Sequence, residues 1–153
     1  MPEPARRLLE IIETARGKDG RARIGEVNRA LNLSIAYTSD RVQHGLDDVW
    51  TPPLLTLASG RGDCEDYALA KYLALLELGF EPADLRIMIV ETRLRRQHAI
   101  LATRLGRQWL MLDNAHSLVL EERVLPYRVT ATFGGDDDPA RRAARIRINI
   151  AAM

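Results

Sequence analysis

The feature that most limits what this chain can fold into is a change in the period of its apolar residues near residue 80. Before Gly79 they recur at helical spacing; from Leu85 onward they stand in short unbroken runs. Residues 4–16 predict an amphipathic helix, with Leu8, Leu9, Ile11 and Ile12 on one side and Arg6, Arg7, Glu10 and Glu13 around the other. Gly17 to Gly20 end it. A second helix is expected over about 22–32, from Ile24, Val27, Ala30 and Leu31. A third runs from Cys64 to Leu78, stopped by Gly79 with Pro82 soon after. Leu85–Glu91, His98–Thr103 and Trp109–Leu112 then read as strands, the last two joined by a turn at Gly106. Leu118–Leu120 and Val129–Phe133 add short strands. Residues 33–50 read as irregular, Pro52 and Pro53 as a short helical start, 134–139 as a loop and 146–150 as a last strand or a tail. Helices first and an antiparallel sheet afterwards mean an α+β fold.

The chain has 153 residues, a length that favours one domain spanning 1–153. Its net charge of +1 gives no electrostatic case for nucleic acid or a membrane surface, and no run reaches the length of a transmembrane helix. The start, Met-Pro-Glu-Pro, lacks the pattern of a signal peptide, which leaves two expectations open: a cytoplasmic protein, or a mature chain whose leader has been removed. One cysteine excludes an intramolecular disulfide and makes that thiol either a small buried hydrophobe or a reactive group.

Its neighbours favour reactivity. Cys64 falls at a helix start behind Gly60 and Gly62, where unpaired N–H groups and the positive end of the helix dipole favour thiolate over thiol. The same N–H groups, that of Cys64 included, can hold an oxyanion. A thiolate nucleophile needs a base, and the base an orienter. Of the three histidines, His44 lies in the irregular stretch and His116 follows the third strand, whereas His98 opens a strand and Asp113 ends the next. Paired through the Gly106 turn, those strands set His98 and Asp113 near each other at one end of the sheet. Alone, His98 reads as a surface residue and Asp113 as part of a turn; the joint arrangement carries the chemistry. Asp63 can cap the Cys64 helix, with Glu65 and Asp66 complementing its dipole.

The run Gly62-Asp63-Cys64-Glu65-Asp66-Tyr67-Ala68-Leu69-Ala70-Lys71-Tyr72 resembles the signature of the bacterial transglutaminase-like cysteine proteinases, which include LapG-type periplasmic proteases that release biofilm adhesins. Val27-Asn28, Asp48-Val49-Trp50, Gln97-His98-Ala99-Ile100-Leu101, Leu110-Met111-Leu112-Asp113-Asn114 and Thr132-Phe133-Gly134-Gly135 resemble further landmarks in the same order, so the likeness spans about 24–135. It implies a papain-like α+β fold and a triad of Cys64 as nucleophile, His98 as base and Asp113 as orienter. It also implies calcium held by Asp63, Glu65 and Asp66, a chemistry that suits a hard cation, with Asp47 or Asp48 as a further oxygen. Trp50 and Tyr67 are candidates for the cleft wall, with packing as the default for both. Leu55 stands where the family has a glutamate, Ala99 where it has methionine, and 136–153 has no counterpart.

The leading expectation is therefore hydrolysis of a peptide bond in a protein or peptide substrate. Acyl transfer to an amine uses the same triad. A non-catalytic peptide-binding module would have no use for all three residues, and a zinc site of Cys64, His98 and Asp113 lacks a second thiol or a close histidine pair. Arg93, Arg95 and Arg96 read as a solvated hairpin edge with some affinity for acidic partners. The resemblance further implies a periplasmic location and an inner-membrane receptor as partner, with no direct membrane insertion.

Overall fold

The computed structural model describes residues 1–39 and 50–135. His44, Asp40, Asp47, Asp48 and the 136–153 stretch lie outside them. Two helices come first, α1 (Glu3–Arg16) and α2 (Gly20–Ser34), each extending slightly beyond its expected bounds. A two-residue strand β1 (Ala36–Tyr37) follows, in a stretch expected to be irregular. The prolines at 52 and 53 start α3 (Pro53–Ser59), which needs no N–H at its first position and ends on Gly60 in the left-handed conformation. Then come β2 (Arg61–Gly62) and α4 (Cys64–Glu77). The second half holds β3 (Leu85–Glu91), β4 (Gln97–Leu105), β5 (Gln108–Leu112), β6 (Leu120–Glu121) and β7 (Arg128–Gly134).

The last five strands form one sheet in the order β6-β5-β4-β3-β7, every neighbouring pair antiparallel. After β6, which pairs with β5 at one edge, the chain runs over the far face of the sheet and returns as β7 on the opposite edge. The register pairs Val90 with His98 and Leu101 with Leu112, so Asp113 leaves β5 beside the first residues of β4. Gly106, at φ 61, makes the tight turn between them. A bulge shifts the β3–β7 register between Ile89 and Val90.

Alternation along the strands gives the sheet two apolar faces. Leu85, Ile87, Leu101, Leu110 and Leu112 meet the helices, including Leu8 and Ile12 of α1 and Ile24, Val27 and Leu31 of α2. Met88, Val90, Ile100, Ala102 and Met111 form a second cluster on the far face, packed by Trp109, Leu125 and Tyr127. α4 is buried around most of its circumference, from Asp66 through Lys71 to Leu75, which its nearly continuous apolar sequence dictates. It lies against β4 and is enclosed by α1, α2 and α3. Among the described residues no helix is long and apolar enough to cross a membrane.

Candidate active site

Cys64 is the first residue of α4. Asp63 caps the helix in extended backbone: its Oδ1 accepts from the Asp66 N–H at 3.4 Å, while Asp66 Oδ2 accepts from the Asp63 N–H at 3.2 Å. This reciprocal box satisfies two orphan donors of the first turn. Asp66 is fully buried, and its other oxygen, Oδ1, accepts from the Thr51 N–H at 2.9 Å. The motif needs its glycine as well: a Cβ on Gly62 would stand 2.7 Å from Asp66 Cβ. The parallel pairing of β1 with β2 and the Thr38 N–H to the Gly62 carbonyl at 2.8 Å brace the approach to the cysteine.

The other half of the site is at the sheet end. His98 Nε2 lies 2.7 Å from Asp113 Oδ1. Burial pushes the Asp113 carboxyl up, but the hydrogen bond and charge of His98, the Ala115 N–H and the Tyr127 hydroxyl together hold it below the usual carboxylate range. An ionised carboxylate only accepts, so Nε2 carries the proton and Nδ1 is the nitrogen left to face a thiol. Ala115 N–H donates to the same Oδ1 at 2.9 Å, and Tyr127 donates its hydroxyl to Oδ2 at 2.8 Å. The Asp113 turn is clamped from α2. Asn32 Nδ2 donates to the Asp113 and His116 carbonyls at 3.0 and 3.2 Å, and Asn28 Nδ2 to those of His116 and Ser117 at 3.0 and 3.3 Å.

A cleft of about 210 Å³ joins the halves, lined by Trp50, Cys64, Glu65, Ile89, Gln97, His98, Ala99 and Phe133. The Cys64 thiol donates to Glu65 Oε2 at 3.1 Å. Burial, then the charge and hydrogen bond of Glu65, and lastly the charge of Asp63, push the thiol well above its ordinary pKa; the Ala99 N–H aimed at the sulfur opposes them. Burial, and after it the carboxylates on both sides, thus oppose the thiolate preference expected of a helix start.

One expectation is corrected. Tyr67 is not cleft wall: it is buried, and its hydroxyl donates to the Ile35 carbonyl. Asp66, also expected near calcium, is buried, and both its oxygens accept backbone N–H groups. Asp63 and Glu65 remain as the carboxylates of the expected set, and among the described residues no group of three or more His, Cys, Asp or Glu is arranged to hold a metal. Trp50 does line the cleft, whereas Trp109 lies under the Arg86 guanidinium, 3.8 Å from the ring centroid.

The sequence reading passed over Tyr127, the carboxamides of Asn28 and Asn32, and Lys71. Lys71 sits two turns along α4 from Cys64, with no accessible surface and no hydrogen-bond partner for Nζ. Burial drives its pKa down to about 7, against an upward pull from Asp113.

The fold matches that of LapG from Legionella pneumophila, with a TM-score of 0.74 and 24% identity over 89% of this chain and 78% of that one. The calcium-bound form of that protein matches with a TM-score of 0.73 and 25% identity, over 87% of this chain and 77% of that one. Its EGTA-treated form gives a TM-score of 0.73 and 25% identity, over 87% and 75%. No curated protein sequence matches the chain. The family profile described as bacterial transglutaminase-like cysteine proteinase matches residues 5–137. The chain is therefore a member of the bacterial transglutaminase-like cysteine proteinase family.

Proposed function

We propose that the protein is a peptidase whose nucleophile is Cys64, with His98 as base and Asp113 as its orienter. The observation that carries this reading is the 2.7 Å contact of His98 Nε2 with Asp113, which leaves Nδ1 for a thiol in the same cleft. Cys64 turns from Glu65 and gives its proton to His98 Nδ1, and the thiolate attacks the scissile carbonyl. The oxyanion is held by the Cys64 N–H, which the ladder of α4 does not use. His98 returns the proton to the departing amine as the C–N bond breaks. It then takes a proton from the water that attacks the thioester, and gives it back to the sulfur as the C–S bond breaks.

Calcium at Asp63 and Glu65 belongs to the same proposal, supported by the likeness to the calcium-bound Legionella LapG. A bound cation supplies positive charge that offsets the carboxylates raising the thiol. A protein substrate such as a surface adhesin, a periplasmic location and an inner-membrane receptor are proposed on the family likeness.

The test is Cys64 alkylation by iodoacetamide across pH, in wild type and His98→Ala, with calcium and with EGTA. A rate that falls on loss of His98 and rises with calcium supports the pair and the cation. An ordinary thiol profile, unmoved by His98→Ala, would leave a peptide-binding module as the better reading.

A further inference from the structure

Asp113 is the one group that both holds His98 and must itself be held. A carboxylate turns about a broad, roughly two-fold torsion, so its contacts alone decide which oxygen meets the imidazole. On Oδ1 those contacts are His98 Nε2 and the Ala115 N–H. If they were all, the orientation of Asp113 would depend partly on the residue it is meant to orient. Oδ2 has an independent anchor, the Tyr127 hydroxyl at 2.8 Å. The Tyr127 ring also meets the His98 ring edge-on, with centroids 5.7 Å apart and planes at 71°. One side chain therefore touches both members of the pair.

Tyr127 reaches this place because of the topology. The connection from β6 to β7 runs from the Leu85 end of the sheet to the His98 end, and Tyr127 is the last residue before β7. Its own surroundings fix it further: the ring packs on the far-face cluster, and the hydroxyl oxygen lies 3.3 Å from His116 Nε2. The phenol has one proton. The shorter, charge-assisted contact to Asp113 takes it, and the oxygen remains an acceptor towards His116. Burial, then the hydrogen bond to Asp113 and its charge, keep that phenol protonated far above neutral pH.

We propose that Tyr127 is a positioning residue of the site, holding Oδ2 of Asp113 so that Oδ1 is presented to His98. The inference rests on the triad reading for its catalytic consequence, but its structural content can be read without turnover.

The experiment uses Tyr127→Phe, which keeps the ring and its packing and removes only the hydroxyl, alone and combined with Asp113→Ala. With Asp113 present, Tyr127→Phe lowers the rate of Cys64 alkylation roughly tenfold, the scale of losing one buried donor behind a working group. In the Asp113→Ala background the same change has no further effect, because the hydroxyl acts through the carboxylate. Equal losses in both backgrounds, or none with Asp113 present, would overturn the proposal. The second readout is the low-field proton resonance of His98 Nε2–H, which is expected in wild type and lost to exchange in Tyr127→Phe. A resonance left unchanged overturns the proposal even if the triad reading stands. Should His98→Ala leave alkylation untouched, the triad reading fails, and the resonance still decides whether Tyr127 holds the pair.

Discussion

The two ends of the cleft are prepared to different degrees. At the sheet end, both Asp113 oxygens accept hydrogen bonds, its backbone carbonyl is held by Asn32, and His98 already sits on Oδ1. At the helix end the backbone is equally well fixed, through the box of Asp63 and Asp66 and the tie to Thr51, yet the thiol itself rests on Glu65. His98 is preorganised and the Cys64 thiol is held back. Rigid backbone and reactive side chain are separate properties, and this molecule has the first at both ends and the second at one.

The change expected to alter this contrast most is Lys71→Met. Lys71 lies on the helix that Cys64 opens and feels the charge of Asp113, so it belongs to both ends. With a folded pKa near 7 against 10.5 unfolded, the unfolded chain binds a proton between those values that the folded protein does not. Wild-type stability therefore rises from pH 7 towards 10.5. Methionine keeps the volume without the charge; thermal unfolding should show stability gained at pH 7, on the order of a few kcal/mol, and the rise with pH abolished. A variant as pH-dependent as wild type would mean that Lys71 is not the buried amine described. Next is Asp66→Ala, which removes acceptors from two backbone N–H groups at the helix end. A loss of about 2–3 kcal/mol in urea unfolding is expected, and a neutral result would show the box to be incidental. The smallest effect is that of Glu65→Gln. Without the adjacent charge the thiol pKa falls, so in EGTA at neutral pH alkylation should accelerate roughly tenfold. A slower reaction would show that Glu65 activates Cys64 rather than restraining it.

How far the sequence reaches follows the range of the interactions. Periodicity located the helices and the central strands, and the Gly106 turn placed His98 near Asp113, because a two-strand register is a local property. The Asp63 cap was legible for the same reason: it spans four residues. β1 escaped because two residues carry no period, and its partner lies 25 positions away. Tyr127 escaped because its link to Asp113 depends on a crossover whose path no local pattern encodes. The thiol's contact escaped because a helix start is visible in a sequence, whereas the rotamer that lays Glu65 on sulfur is not.

One feature of the helix end has a bearing on engineering. Two backbone bolts meet there, the Thr38 N–H on the Gly62 carbonyl and the Thr51 N–H on Asp66. Both bolts are driven into the four residues around Cys64. Trp50 stands next to the second bolt and lines the cleft with Cys64, so a substitution at 50 changes the surroundings of the thiol without removing either bolt. That makes position 50 the place to reshape the cleft wall while the frame around Cys64 is kept.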